Sequence, residues 1–303
     1  LFCYNARPEP ELRERSSRAL ARLSHRGPDD FGLWCGPGVA IGHRRLAILD
    51  LSASRQPMMD ETGRWVLSYN GEIYNYRELR PLLEGRWRFR THGDTEVLLA
   101  GLATFGESFL ERLEGMWAFA LWDNETQTLL LSRDRMGEKP LYYQTIPRSF
   151  ICASELPALA QLDSVPWEED LDSTADYLRY GYYLPGTTAY RGIHEVLPGH
   201  ALRWRPGESA QQWPYWKLSI GGFRGAPEDA RAILREKLTG IVKQRLVADV
   251  EVGAFLSGGI DSSLVVAIMN RELGVRPKTF TIGFRDSTYD ERHYARRISQ
   301  SNQ

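Results

Sequence analysis

The sequence has few cysteines, almost no net charge and no long apolar run. Three cysteines among 303 residues are too few and too scattered for a disulfide framework or a zinc cluster, which favours a reducing compartment and makes the cytoplasm the expected location. The formal net charge of -1 gives no sign of the broad basic surface that binds nucleic acids or anionic lipids. The longest apolar run, MWAFALW at 116–122, is far too short to span a bilayer. We therefore expect a soluble protein with small-molecule substrates and with neither nucleic-acid nor membrane partners.

Both ends of the sequence lack the signals that usually mark a complete chain. There is no initiator Met, and the last residues, ARRISQSNQ, form an amphipathic helical pattern that no Gly or Pro closes. We therefore expect a fragment of a longer protein. A length of 303 residues still allows two domains, each with its own core.

The first two thirds of the chain alternate hairpin and helix signals. Pairs of β-rich runs flank polar or Gly/Pro turns at 32–48, 58–70, 117–134 and 141–155. Apolar residues with helical spacing fall between them, at 9–24, 75–84, 94–105 and 107–113. This order predicts helical layers packed on antiparallel sheets, in an α+β domain that covers residues 1–205.

A linker and the beginning of a second domain follow. Residues 206–226 are rich in Gly, Pro, Ser and Trp, which predicts an inter-domain linker. From residue 227 the chain shows a helix, the strand VEVGAFL, a Gly/Ser loop, a second helix and the strand TFTIGF. This βαβ order predicts a parallel α/β sheet of the nucleotide-binding type over 227–303.

The loop FLSGGIDSS at 255–263 carries the chemistry of the second domain. Its glycines let the backbone approach a phosphate closely, and the helix that follows offers unpaired N–H groups. The carboxylate of Asp261 would repel phosphates unless a cation lies between them, which implies Mg²⁺. The pattern differs from both the P-loop and the dinucleotide fingerprint. It resembles the pyrophosphate-binding loop of ATP pyrophosphatases, which activate a carboxylate as its adenylate.

A second set of polar residues lies in the first domain, around SYNGEIYNYREL at 68–79. Asn70 and the N–H of Gly71 could donate two hydrogen bonds to a developing oxyanion. The guanidinium of Arg45 suits a substrate carboxylate, and Glu72 with Asp94 suits an ammonium group. Together they would hold the head of a free amino acid, although Asn-Gly alone is typical of a turn and Asp94 alone of a helix N-cap.

These segments resemble the glutamine-hydrolysing asparagine synthetase family. HRGPDD, HRRLAILD, NGEIYNYREL, THGDTEVLL and SRDRMGEKPLYY follow one another in the order and spacing of that family's class II glutamine amidotransferase domain. FLSGGIDSS and TFTIGF resemble the start of its synthetase domain. The resemblance implies an N-terminal nucleophile hydrolase αββα sandwich, followed by the beginning of an α/β ATP pyrophosphatase domain of the adenine nucleotide alpha hydrolase type.

The resemblance also implies an activity. Such an enzyme adenylates the side-chain carboxylate of aspartate with ATP and then amidates it with ammonia released from glutamine, giving asparagine, AMP, pyrophosphate and glutamate. It is a carbon–nitrogen ligase with glutamine as amido donor. The implied small-molecule partners are glutamine, aspartate and ATP with Mg²⁺, and the implied assembly is a homodimer.

The site residues carried over from the family form two groups. The glutamine site comprises the oxyanion hole and the residues around the amino-acid head: Asn70, Gly71, Arg45, Leu46, Ala47, Ile48, Leu49, Glu72 and Asp94. The ATP site comprises the loop and its two flanking positions, with Asp261 reaching Mg²⁺ directly or through pyrophosphate: Leu256, Ser257, Gly258, Gly259, Asp261, Ser262 and Ile282.

The family's nucleophile is a cysteine that becomes the N-terminal residue, and no residue of this sequence matches it. The residues Leu1 and Phe2 match the tail of the family's start, which puts the expected nucleophile about half a dozen residues before Leu1. Cys3 falls after that point, so we expect Cys3, like Cys35 and Cys152, to be structural. The fragment by itself is expected to be inactive.

Two other functions stay open on the sequence alone. Relatives with this architecture amidate other carboxylates, such as those of surface-polymer precursors, and the residues that would bind the acceptor acid lie outside the sequence. A truncated or non-catalytic scaffold is the third hypothesis.

Overall fold

The structure is a computed structural model that describes residues 1–5, 7–51, 53–146, 149–162, 167–286, 288 and 290–301. The chain divides into two compact units, Leu1–Leu218 and Ser219–Gln303. Each unit has its own core and is described separately below.

Two six-stranded antiparallel sheets form the middle of the first unit. The first sheet has the strand order β10-β8-β9-β1-β3-β2 and the second has the order β12-β11-β7-β6-β5-β4. The strands are β1 (Phe2–Tyr4), β2 (Asp30–Gly36), β3 (Val39–Arg45), β4 (Met58–Met59), β5 (Trp65–Ile73), β6 (Gly115–Asp123), β7 (Thr128–Arg133), β8 (Tyr142–Ile146), β9 (Ser149–Ala153), β10 (Ile193–Glu195), β11 (His200–Trp204) and β12 (Gln211–Pro214).

Helices cover the outer faces of both sheets. The helices of this unit are α1 (Glu9–Ala21), α2 (Tyr76–Leu79), α3 (Asp94–Phe105), α4 (Leu156–Leu162) and α5 (Leu171–Tyr180). Leu12 and Ala19 of α1 share an apolar cluster with Leu159 of α4 and with Ile151 of the first sheet. The short helix α2 is followed by a 3₁₀ turn at Arg80–Leu82, and α3 lies against β5 of the second sheet.

The main core lies between the two sheets. Its largest side chains come from both sheets and include Phe2, Phe150, Trp122 and Trp204, whose rings contact one another within this layer. Burial of aromatic rings of this size supplies much of the stabilisation of such a layer. The order of helix, sheet, sheet and helix confirms the predicted αββα sandwich.

The apolar run MWAFALW is explained by the position of β6 within the second sheet. β6 lies between β5 and β7, and its residues from Trp117 to Asp123 are all buried. Ala118, Ala120 and Trp122 face the layer between the sheets, and the alternate residues face the other side. A strand covered on both faces has no solvent-facing positions, so its sequence loses the usual alternation.

The four predicted hairpins are confirmed. The pairs β2–β3, β4–β5, β6–β7 and β8–β9 are each antiparallel, and the residues 147–148 at the last turn lie outside the described part. Two predicted helices are shorter than expected or of another type, since α2 ends at Leu79 and Gly106–Arg112 is a 3₁₀ helix. The segment 206–226, which we predicted as a linker, contains β12, an edge strand that pairs with β11. Among the described residues, no helix has both the length and the apolar character needed to cross a membrane.

The second unit shows the predicted βαβ order. It contains α6 (Pro227–Arg245), β13 (Ala254–Phe255), α7 (Ile260–Ala267), a π-helical turn (Ile268–Glu272), β14 (Thr279–Phe280) and α8 (Arg292–Ser301). β13 and β14 pair in parallel, as the sequence predicts, but each is only two residues long. The loops that follow the two strands therefore lie at the same edge of the small sheet.

Candidate functional site

A cavity of about 350 Å³ in the first unit brings together most of the predicted glutamine site. It is lined by the backbone of β3 and β5, by the loop after β3 and by the first turn of α3. Eight predicted residues are among its walls: Arg45, Leu46, Ile48, Leu49, Asn70, Gly71, Glu72 and Asp94. Ala47 is not a wall residue. Its N–H donates to the carboxylate of Asp29 at 2.9 Å and so fixes the loop.

The alternation of β5 decides which way the N–H of Gly71 points. The N–H of Tyr69 donates to the side chain of Gln56, and the N–H of Ile73 donates to the carboxylate of Asp94. Both donors lie on the edge of β5 that faces away from β6. Successive residues of a strand direct their N–H groups to opposite sides, so every second residue points to the same side. The N–H of Gly71 therefore points to the same edge as those of Tyr69 and Ile73, and lies between them. It is therefore placed as an oxyanion donor should be.

Asp94 has the surroundings of a binding carboxylate. Its Oδ2 accepts hydrogen bonds from the hydroxyl of Tyr69 at 2.7 Å and from the N–H of Ile73 at 2.9 Å. Its burial raises the pKa of the carboxyl above the usual range, while these donated hydrogen bonds act in the opposite direction. The structure therefore puts a buried carboxylate on the cavity wall, where a cationic ligand would offset the cost of its burial.

Arg45 has a structural task that the sequence did not indicate. Its guanidinium donates to the carbonyl oxygens of Leu49, Asp50 and Leu51 at 2.8–3.0 Å, so that three of its five donors hold the loop after β3. The side chain is 7% exposed and still lines the cavity. Two N–H donors without acceptors among the described residues remain for a ligand carboxylate.

Asp50 is a site residue that sequence reasoning missed. Its Oδ2 accepts from the N–H groups of His92 and Gly93, just before α3, and from the hydroxyl of Ser54. Partial burial raises its pKa, but these donors outweigh the burial and leave the pKa below the usual value. Asp50 thus ties the two residues that precede α3, the helix that carries Asp94, to the loop that Arg45 holds. Its only signal in the sequence is its place in LAILDLS.

His43 and Ser68 join the two sheets beneath the cavity. The hydroxyl of Ser68 donates to the carbonyl of Gly42 at 3.1 Å, so the 3.2 Å contact between Ser68 Oγ and His43 Nδ1 requires the proton on Nδ1. Burial lowers the pKa of His43 well below its usual value, and the positive charge of Arg45 acts in the same direction. His43 is therefore neutral. A hydrogen-bonded structural role is what the absence of metal-ligand spacing around His43 predicts from the sequence.

The cysteines are placed as predicted, as structural residues. Cys3 packs against the helices on the outer face of the first sheet, and burial raises the pKa of its thiol to about 12. Cys152 lies on the inner face and lines the cavity, with its pKa raised to about 11 by burial. A thiol with so high a pKa is a poor nucleophile.

The predicted ATP residues lie together at the edge of the second unit's sheet. The hydroxyls of Ser257 and Ser262 are 3.0 Å apart, and the N–H of Gly259 donates to Ser257 Oγ. Leu256 is buried behind the loop, Asp261 is exposed in the first turn of α7, and Ile282 is exposed after β14. Gly258 has φ of +87°, and a Cβ there would lie 2.5 Å from the Cβ of Tyr294, so only glycine fits.

The described residues hold no cluster of three or more His, Cys, Asp or Glu that could bind a metal ion. Asp261 is the single carboxylate in the loop. The residues present fit a magnesium ion that arrives on the phosphates of ATP, with Asp261 as a supplementary partner, because Mg²⁺ is usually bound through one or two carboxylates and substrate phosphates.

The fold and the site define the class of protein: an N-terminal nucleophile hydrolase sandwich with the site of a glutamine amidotransferase. Two solved structures are similar to the chain. One is the glutamine phosphoribosylpyrophosphate amidotransferase from B. subtilis complexed with ADP and GMP, with a TM-score of 0.51, 19% identity and coverage of 95% of this chain and 67% of that one. The other, titled the allosteric regulatory enzyme of purine biosynthesis, has a TM-score of 0.53 and 19% identity, and covers 95% and 66%. This likeness shows the fold alone.

The family follows from sequence comparison. Residues 3–216 match the family model described as a glutamine amidotransferase domain, and residues 233–303 match the model described as asparagine synthase. The chain therefore belongs to the glutamine-hydrolysing asparagine synthetase family.

Three curated relatives illustrate the range of the family. The chain is 35% identical over 260 residues to asparagine synthetase [glutamine-hydrolyzing] 3 of Bacillus subtilis, covering 84% of this chain and 42% of that protein. It is 37% identical to amidase chry2 of Gibberella zeae, covering 85% and 39%. It is 36% identical to a putative asparagine synthetase of Mycobacterium tuberculosis, covering 91% and 45%. The chain thus spans less than half the length of these relatives.

Proposed function

We propose that the full-length protein makes asparagine. It adenylates the side-chain carboxylate of aspartate with ATP and amidates the adenylate with ammonia released from glutamine. The observation that supports this most is the N–H of Gly71, which has no acceptor among the described residues and lies on the same edge of β5 as the N–H of Ile73 that donates to Asp94, in a chain whose second part matches the asparagine synthase family model. The chain therefore carries both a candidate glutamine site and a candidate ATP site.

The direction of β1 supports a nucleophile before Leu1. Leu1 and Gly42 exchange both backbone hydrogen bonds, at 2.9 and 3.0 Å, so β1 runs antiparallel to β3 at its very first residue. Residues preceding Leu1 in that register would run past His43 and Arg44 to Arg45 and the loop it holds. At about 3.4 Å per residue, half a dozen residues span roughly 20 Å, enough to bring a cysteine to the glutamine pocket.

The chemistry at this site is acyl transfer. The thiolate attacks the side-chain carbonyl of glutamine, and the C=O electrons move to an oxyanion that accepts from the N–H of Gly71 and the amide of Asn70. The oxyanion collapses, the C–N bond breaks and the nitrogen leaves as ammonia once it has gained a proton. A water molecule then cleaves the γ-glutamyl thioester to glutamate. Asp94 with Glu72 binds the α-ammonium of glutamine, and Arg45 binds its α-carboxylate.

The loop at 257–263 is proposed to hold the phosphates of ATP. Ser263 Oγ is buried and has no hydrogen-bond partner among the described residues, and the hydroxyls of Ser257 and Ser262 contact each other, with Ser262 Oγ also donating to the carbonyl of Gly259. Such donors suit the pyrophosphate that leaves when aspartate attacks the α-phosphorus. Magnesium bound to the phosphates would neutralise their charge. The cytoplasm and a homodimer remain our proposals for location and assembly.

A second candidate function is amidation of a different carboxylate. Two relatives, amidase chry2 and the amidase chyE of Penicillium rubens, carry the name amidase at 37% and 34% identity, similar to the synthetases. The glutamine pocket is equally compatible with both functions, since the acceptor acid does not enter it.

The experiment uses the full-length protein. Pyrophosphate release from ATP is measured with aspartate and with a series of other carboxylic acids, using glutamine or ammonium as nitrogen source. We expect aspartate alone to support release and to yield asparagine. Release that never depends on aspartate would refute the leading proposal, and release with another acid would establish the second candidate. Full pyrophosphate release by an Asp261→Ala variant would remove the role given to that carboxylate.

A further inference from the structure

Gln56 and Tyr69 line the cavity, and the chemistry above gives neither of them a task. The side-chain amide of Gln56 forms two hydrogen bonds with the backbone of Tyr69. Its Nε2 donates to the carbonyl of Tyr69 at 2.8 Å, and its Oε1 accepts from the N–H of Tyr69 at 2.7 Å. β4 pairs with β5 only as far as Leu67. The amide of Gln56 therefore takes the place of a strand partner two residues before Gly71.

The side chain of Tyr69 reaches the other end of the amino-acid site. Its hydroxyl donates to Asp94 Oδ2 at 2.7 Å, and the ring is 3% exposed. The same oxygen accepts from the N–H of Ile73, two residues after Gly71. Along this edge of β5, the N–H of Gly71 therefore lies between the N–H of Tyr69, which donates to Gln56, and the N–H of Ile73, which donates to Asp94. Tyr69 contacts both Gln56 and Asp94.

We propose that Gln56 and Tyr69 are positioning residues that hold the N–H of Gly71 and the carboxylate of Asp94 in fixed relation. The inference rests on the proposed function, because it assumes that glutamine is the ligand. Gln56 acts through the backbone of β5 and so affects the oxyanion donor. Tyr69 acts through its hydroxyl and so affects the carboxylate that binds the α-ammonium group. A bound amino acid needs both groups, which lie on different elements of the fold.

The two residues are expected to have different signatures with pH. The hydroxyl of Tyr69 stabilises the ionised form of Asp94, so its removal raises the pKa of Asp94 further. Protonated Asp94 cannot pair with an ammonium group. Glutamine binding by a Tyr69→Phe variant should therefore be lost at a higher pH than binding by the wild type. The other charged or titratable groups near this position are Glu72 and Tyr74 at the end of β5, with Arg45 and Asp50 on the loop.

The first test is glutamine binding by the full-length protein with the expected nucleophilic cysteine replaced by alanine, so that glutamine is bound and not consumed. The Kd for L-glutamine is measured by calorimetry from pH 5 to pH 9 for the wild type, Tyr69→Phe and Tyr215→Phe. The control removes a tyrosine hydroxyl that also donates a 2.7 Å hydrogen bond, to the carbonyl of Arg133 away from the cavity. We expect Tyr69→Phe to bind about tenfold more weakly on the acid side, the usual effect of losing a hydrogen bond to a charged group, and to approach the wild type at high pH.

The second test separates Gln56 from Tyr69 by kinetics. Gln56→Met removes both hydrogen bonds to the backbone of Tyr69 and adds no charge to the wall of the cavity. In the full-length protein we expect kcat for glutamine hydrolysis to fall about tenfold, the effect of a small displacement of the oxyanion donor. The Kd for glutamine should stay within about twofold, since no group that binds the amino-acid head has changed.

The outcomes distinguish this inference from the proposed function. If the full-length protein with an intact Tyr69 binds no glutamine at any pH, both are refuted. If the wild type binds and Tyr69→Phe has the same Kd at every pH, only the inference is refuted. A lower melting temperature with unchanged binding and kcat would show that the network is merely structural and would likewise overturn it.

Discussion

Gly71→Ala is the substitution that tests the glutamine site most directly. A Cβ at residue 71 would lie 2.1 Å from the carbonyl oxygen of Met116 and 2.8 Å from the Cα of Trp117, both backbone atoms of β6. Ordinary contact begins at 3.4 Å, so the Cβ falls about 1.3 Å short of the space it needs. Backbone atoms of a central strand cannot rotate away. β5 must therefore shift relative to β6, and the N–H of Gly71 moves with it.

Two effects follow from that shift. Overpacking of this kind lowers the free energy of unfolding by about 1–3 kcal/mol. Displacement of an oxyanion donor by about 1 Å is expected to lower kcat for glutamine hydrolysis by about 10²–10³-fold. The loss of stability cannot account for the expected loss of kcat, because a variant that stays folded at the assay temperature keeps nearly all of its protein in the native state.

The assay uses the full-length protein and measures glutamate release from glutamine, with asparagine formation from ammonium as an internal check on the second site. Gly101→Ala is the matched control. A Cβ there would lie 2.0 Å from the ring of Phe109, in the middle of α3 and outside the cavity. It should lower stability by a similar amount without the loss of kcat. Glutaminase activity of Gly71→Ala within about threefold of that of Gly101→Ala would refute the assignment of Gly71 as oxyanion donor.

Three further predictions concern other parts of the chain. Cys3→Ala should leave glutaminase activity of the full-length protein unchanged and lower the free energy of unfolding by about 1 kcal/mol, because Cys3 is buried against the helices; a tenfold loss of activity in a folded variant would contradict its structural role. Asp50→Ala should lower stability at pH 7 by about 1 kcal/mol through loss of the hydrogen bonds that its carboxylate accepts from the backbone just before α3. Because the folded-state pKa of Asp50 is lowered, its contribution is present above the unfolded pKa of about 3.9 and disappears as the pH falls through the folded value, so urea unfolding curves of variant and wild type should converge in acid. Gly240→Ala in α6 should raise the free energy of unfolding by about 0.5–1 kcal/mol, since a Cβ there meets no atom within 4 Å; a lower urea midpoint would contradict this.

The sandwich could be predicted because its strands occur as local hairpins. Each of the four predicted pairs joins runs separated by a short turn, and a polar or Gly/Pro turn between two β-rich runs is a signal contained within a few residues. β12 was assigned to a linker because its sequence, QQWP, lies among Gly and Pro and has no alternation. Its strand conformation depends on pairing with β11, a tertiary contact that no local pattern announces.

The walls of the cavity could be predicted only by residue type. Arg45, Asn70, Gly71 and Asp94 were identified from their chemistry and from the family resemblance, and all four line the cavity. What the sequence could not show is how these groups are held. Gln56 binds Tyr69 across 13 residues of chain, and Asp50 binds His92 across 42. Such contacts are set by the pairing of β4 with β5 and by the docking of α3, so their partners cannot be read from spacing along the chain.

The difference between Asp94 and Glu96 shows why geometry is needed. Both are acidic residues in the first turn of α3, both are buried, and by sequence pattern each is an equally good partner for the helix N-terminus. Glu96 accepts from the N–H groups of Arg90 and Thr91, from the hydroxyl of Thr91 and from the indole of Trp87, so both its oxygens are used by one loop. Asp94 instead lines the cavity, and the hydroxyl of Tyr69 and the N–H of Ile73 both donate to its Oδ2. A carboxylate on the wall of a cavity can take a cationic ligand, and one closed by a loop cannot.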